Sequence, residues 1–111
     1  MNKDMVFIEH ILSSIRLIKE HTEGYSKQDF TSSRKTQDAV IRNIEIIGEA
    51  AKNVSPQFQK SHPELPWKEM IRTRDKLIHG YFGVDLEIVW DVITHELPAL
   101  EKVIEEIVVK K

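Results

Sequence analysis

The stretch Arg74-Asp-Lys-Leu-Ile-His79-Gly-Tyr81 holds the residues best suited to chemistry. Around it Trp67, Met70, Ile71, Leu77 and Ile78 recur at helical spacing. At about 100° per residue, these five fall within an arc of roughly 120°, with Arg74 near its centre. A guanidinium keeps its proton, and burying it unpaired costs several kcal/mol. The arginine must therefore meet a carboxylate, a partner chain or a phosphate.

Asp75 and His79 are four apart and share a helix face, so Asp75 can accept from one ring nitrogen and fix the tautomer. His79 stands at a helix C-terminus, where the dipole favours imidazolium. Such a histidine suits acid–base work near neutral pH. Arg74 lies five residues before it, diverging by about 140°, and offers a fixed bidentate cation for phosphate. Together they suit metal-free cleavage of a phosphodiester. One group deprotonates a ribose 2′-hydroxyl, another protonates the leaving oxygen, and the arginine steadies the charged transition state. The motif offers one such histidine per subunit, and a two-fold dimer would supply both base and acid.

Plainer roles exist for the same residues. Arg74 can pair with a buried glutamate such as Glu49 and only tie helices together. His79 before a glycine can serve as a helix C-cap. Tyr81 can be a packing aromatic with a wet hydroxyl. Glu45 and Glu49, an i,i+4 carboxylate pair with no companion histidine motif, read as an exposed face or ion-pair partners rather than a metal site. His10, His21, His62 and His95 are scattered without ligand spacing. No metal and no cofactor is expected.

The elements that must position the motif are helical. One pattern runs from about Asp4 to His21, with Ile8, Ile11, Leu12, Ile15 and Ile18 on a stripe and Gly24 beyond its end. Ser26 and Asp29 form a weak helix start. A second long helix is expected from about Ser33 to Val54, stopped by Ser55-Pro56. Val40, Ile44, Ile47, Ala51 and Val54 form one of its stripes; Ala39, Ile46 and Ala50, shared with Asn43, form another. Apolar surface on two sides implies a central helix or one that also meets another chain. Gly48 inside it costs about 1 kcal/mol relative to alanine, which a close helix–helix approach would explain. Pro56 to Pro66 reads as a loop or broken helix. A third helix opens at Pro66-Trp67 and runs to about His79, with Gly80 as its stop. Asp85 caps a fourth, which carries Leu86, Val89, Trp90, Ile93, Leu97, Leu100, Ile104, Ile107 and Val108; Pro98 inside it should kink it. Trp67 and Trp90 lie on apolar stripes and belong to the core.

The fold class is therefore all-α, an antiparallel bundle in one domain spanning 1–111. Hydrophobic residues at 41% and charged residues at 31% suit a soluble globular chain. The absence of cysteine excludes disulfides, thiol nucleophiles and Cys-based zinc sites, and fits a reducing cytoplasm. No apolar run approaches the roughly 20 residues of a membrane span, and the N-terminus lacks the apolar run of a secretion signal. A net charge of −2 means that any RNA contact is local rather than a global field.

Two stretches carry a family resemblance. Arg74-x4-His79-x-Tyr81, with Asp75 after the arginine, resembles the R-x4-H-x-Y motif of HEPN ribonuclease toxins of the HepT type. Arg42-Asn-Ile-Glu-Ile-Ile-Gly-Glu-Ala-Ala-Lys52 resembles the second-helix motif of that family, and Trp67–Arg74 and Thr94–Pro98 are similar to it as well. The resemblance implies a dimeric four-to-five-helix bundle with a composite site at the interface. It implies a metal-independent endoribonuclease, the toxin of a type VII toxin–antitoxin system, acting on RNA, with tRNA the substrate in studied relatives. Arg74 and His79 would be catalytic and Asp75 supporting. A cognate nucleotidyltransferase antitoxin would transfer AMP onto Tyr81, placing a bulky anion where the substrate phosphate binds and neutralising Arg74. The alternative is a non-catalytic HEPN module that binds nucleotide or RNA and partners a nucleotidyltransferase. A purely structural bundle is the third reading.

Overall fold

The computed structural model describes residues 3–79 and 85–109, with backbone alone over 76–79. The helices are α1 (Lys3–Thr22), α2 (Lys27–Ser32), α3 (Arg34–Asn53), α4 (Pro56–Ser61), α5 (Trp67–His79), α6 (Leu86–Asp91) and α7 (Leu97–Val109). A π-helical segment, Val92–Glu96, joins α6 to α7 without a break. Among the described residues the fold is all-α: four long helical rods with two short helices between them.

Local chemistry sets the ends. Gly24 takes φ +77° beyond α1, a conformation that other residues resist. Ser26 and Asp29 form a complete capping box on α2: the Ser26 hydroxyl accepts from Asp29 N, and the Asp29 carboxylate accepts from Ser26 N at 3.0 Å. Ser33 then caps α3 by accepting from Thr36 N. Ser55-Pro56 ends α3 and starts α4 at once, since the Ser55 hydroxyl accepts from Phe58 N and Pro56 sits in the first turn. The proline-rich stretch is thus a one-and-a-half-turn helix and a turn, closed by Trp67 Nε1 donating to the His62 carbonyl at 2.9 Å. The kink expected at Pro98 is replaced by a π segment just before it. The Leu97 N–H reaches back five residues to the Val92 carbonyl, and the wide turn absorbs the hydrogen bond that proline cannot donate.

One core joins all the rods. Ile8, Ile11, Ile15 and Ile18 of α1 pack with Val40, Ile44 and Ile47 of α3, Met70 of α5 and Ile104 of α7. Each such aliphatic contributes about 1.5–3 kcal/mol relative to exposure. Trp67 is buried, while Trp90 is half-buried and stacks on buried Phe30 at 5.5 Å. Arg16 pairs with Glu105, and Lys19, one turn on, pairs with Glu101, which sets α1 and α7 antiparallel. At the other end of α1, Asp4 accepts from the Ser55 N–H at 2.8 Å and from its hydroxyl at 2.7 Å. That clamp fixes the α3–α4 corner against the start of α1.

Candidate active site

Helices α3 and α5 meet at Gly48. A Cβ there would lie 2.8 Å from Arg74 Cγ and 3.0 Å from the Met70 carbonyl oxygen, and would overlap Arg74 Cβ. The missing side chain lets the stem of Arg74 rest on the backbone of α3. This is the close approach expected from a glycine in a helix interior, and it directs the guanidinium to the edge of the core instead of its middle.

There the guanidinium meets two carboxylates. Arg74 Nη2 forms an ion pair with Glu49 Oε2 at 2.8 Å, and Nη1 donates to Asp75 Oδ1 at 3.2 Å. The Arg74 side chain is 22% exposed, against 52% for Glu49 and 50% for Asp75. A half-buried cation is thus met by carboxylates that are more exposed than it is. Arg74 Nε is sealed and has no hydrogen-bond acceptor among the described residues. Asp75 Oδ1 is bonded to Arg74; the contact expected between Asp75 and His79 lies outside the described residues. His79 is the last residue of α5; its side chain lies outside the described residues, and so does Tyr81.

Arg74 opens into a groove of about 400 Å³. The second stripe of α3 supplies its floor through half-buried Ile46 and buried Ala50. Arg42, Asn53 and exposed His10 line it as well. Arg42 lies 3.9 Å from Glu45, and Asn53 Nδ2 donates to Glu49 Oε1 at 3.4 Å. The Glu49 carboxylate therefore bridges Arg74 and Asn53. Buried Asn43, on the same stripe, donates to the Ala39 carbonyl at 2.9 Å and is satisfied within its own helix. His10 is the residue that sequence reasoning left out of the site. It sits on α1, its ring edge-on to Phe7 at 6.3 Å, and only tertiary packing brings it to Arg74's groove. No local spacing could have signalled it.

His62 pairs with Glu64 at 3.0 Å and His95 with Asp91 at 2.9 Å, both away from the groove. No helix among the described residues is long and apolar enough to cross a membrane.

An all-helical bundle with a motif arginine seated on a helix-interior glycine defines a compact helical domain with a polar cleft. The comparisons give the class a family: the description "HepT-like: Ribonuclease HepT-like" matches residues 11–107, so the chain belongs to the HepT-like ribonuclease family and with it to the ribonucleases. A "Probable ribonuclease HepT" of Thermococcus cleftensis is 48% identical over 101 residues, covering 91% of this chain and 92% of the relative. A "Putative RNase" of Caldanaerobacter subterraneus subsp. tengcongensis is 44% identical over 105 residues, covering 95% and 94%. In Methanocaldococcus jannaschii, a protein named "Gamma-glutamylcyclotransferase and putative RNase" is 47% identical over 112 residues; the match takes 96% of this chain and 50% of that longer protein. No solved structure matches the chain.

Proposed function

We propose that this chain is a metal-independent endoribonuclease toxin that cleaves RNA, with tRNA the expected target, at a site shared by two protomers. The observation that carries the reading is Arg74, seated on Gly48 with its guanidinium at the lip of a groove. Family membership supports it independently.

In this reading the ribose 2′-hydroxyl gives its proton to one histidine and attacks the adjacent phosphorus. A 2′,3′-cyclic phosphate forms as the bond to the 5′-oxygen breaks, and a second histidine protonates that leaving oxygen. His79 from each protomer fills the two roles. Arg74 binds the phosphate oxygens and stabilises the charge that develops on them. Asp75 supports the guanidinium from beside it. The half-buried second stripe of α3 forms part of the homodimer interface, which closes the groove. The protein works in the cytoplasm beside a cognate nucleotidyltransferase, the antitoxin of a type VII pair. That partner transfers AMP to Tyr81 and blocks the phosphate position.

Labelled tRNA incubated with purified protein in EDTA tests the reading. Wild-type protein cleaves, and folded His79→Ala does not. Cleavage retained by His79→Ala would remove that residue from the chemistry.

A second reading draws on a specific contact. Glu49 occupies the guanidinium in the free chain, as expected of a non-catalytic module that binds nucleotide or RNA and serves a nucleotidyltransferase. In the same assay that module binds tRNA and leaves it intact at every protein concentration.

A further inference from the structure

We propose that Glu49 is a latch that competes with RNA phosphate for Arg74, so that substrate must displace a carboxylate before it is held. The inference rests on the reading of Arg74 as the phosphate-binding residue and adds what controls access to it.

Three observations carry it. Arg74 Cβ and Cγ rest on Gly48 and Nε is sealed, so the inner part of the side chain is held against α3 and only the tip faces the groove. Its Nη2 edge, the one turned to α3, is taken by Glu49 Oε2 at 2.8 Å. Glu49 itself is 52% exposed on the groove wall, and among the described residues its other carboxylate oxygen accepts from Asn53 at 3.4 Å. The cation is the more enclosed partner and the anion the more exposed one. A dianion-sharing arrangement of phosphate and Glu49 on one guanidinium edge would place like charges side by side, so binding at this edge turns the carboxylate outward into water. Ion pairs with an exposed partner are weak, which makes the latch openable by substrate. Asp75, on the Nη1 edge, stays and keeps the guanidinium plane oriented.

Glu49 is thus a positioning residue acting through Arg74, and its signature is the salt dependence of RNA binding. The test uses a single-stranded RNA with 2′-O-methyl riboses, which lacks the attacking hydroxyl and reports binding alone. Glu49→Gln keeps an acceptor oxygen and loses the charge; it is expected to bind this RNA about threefold to fivefold more tightly at low salt. The slope of log Kd against log salt should steepen by about 0.7, as for one more phosphate neutralised on a single strand. Glu49→Ala, favourable in a helix, repeats the measurement should the glutamine variant fold poorly. In an Arg74→Gln background the Glu49→Gln change should leave Kd and slope unaltered. Equal or weaker binding by both Glu49 variants overturns the latch. The same tightening without Arg74 also overturns it, because simple repulsion would then suffice. Unmodified tRNA separates the two claims. Cleavage by wild-type protein with unchanged Glu49→Gln binding sinks the latch alone. Tighter Glu49→Gln binding with no cleavage by wild-type protein sinks the catalytic reading alone.

Discussion

Arg74 rests on Gly48: the first two carbons of the arginine side chain occupy the space where any other residue at 48 would carry its own. This contact explains both a helix-interior glycine and a cation at the edge of a core. Replacing Gly48 with alanine raises helix propensity by about 1 kcal/mol but forces α3 and α5 apart. The expected result is a net loss of roughly 1–2 kcal/mol in urea unfolding, because overpacking outweighs propensity. RNA cleavage should fall further than stability does, since the guanidinium moves with its stem. Unchanged cleavage by a Gly48→Ala protein would show that the close approach does not position the arginine.

The Asp4 clamp makes a prediction about stability alone. Its carboxylate holds the N–H and the hydroxyl of Ser55 at the α3–α4 corner. Asp4→Ala leaves the Ser55 groups without that acceptor and should cost about 1–3 kcal/mol. The folded fraction should cleave RNA at the wild-type rate, because the clamp lies outside the groove. Thermal unfolding and a cleavage assay on the same preparation check both halves.

Much of this arrangement is legible in the residues themselves. Helix α5 spans Trp67–His79 as its apolar spacing and flanking proline and glycine suggest. The capping box at Ser26, the two stripes of α3 and the close approach at Gly48 also follow from local chemistry. So does Glu49 as a partner for Arg74, although it stands in solvent and not, as expected, buried. Other features depend on through-space packing. Asp75 Oδ1 meets the Arg74 guanidinium, a contact that helix spacing alone does not signal. His10 enters the groove only because α1 lies along α3. A proline in a helical pattern signals a break, but whether a kink or a π segment absorbs it depends on the surrounding core. Tyr81 and the His79 side chain lie outside the described residues, and their roles stand as proposals.

A shared site makes activity depend on concentration. If two protomers supply the two histidines, specific activity should fall on dilution below the dimer dissociation constant, in step with the monomer fraction from sedimentation. Activity that tracks total protein through the dimer–monomer transition would place the whole site in one chain.

Modification of Tyr81 should silence the enzyme. Incubated with the proposed nucleotidyltransferase partner and ATP, the chain is expected to gain mass in AMP steps and lose cleavage together. Tyr81→Phe should stay unmodified at that residue and keep cleaving in the presence of the partner. Loss of activity by Tyr81→Phe under the same treatment would point to inhibition by binding, without transfer.

The most direct test is the rate of cleavage of one end-labelled tRNA by wild-type, Arg74→Ala and Arg74→Lys proteins in EDTA, with folding checked by circular dichroism. Loss of the guanidinium should slow single-turnover cleavage by about 10²–10³, the usual effect of deleting a group that stabilises transition-state charge. Lysine should restore only part of it, because a point charge cannot reproduce the fork. Wild-type rates from a folded Arg74→Ala protein would contradict the account.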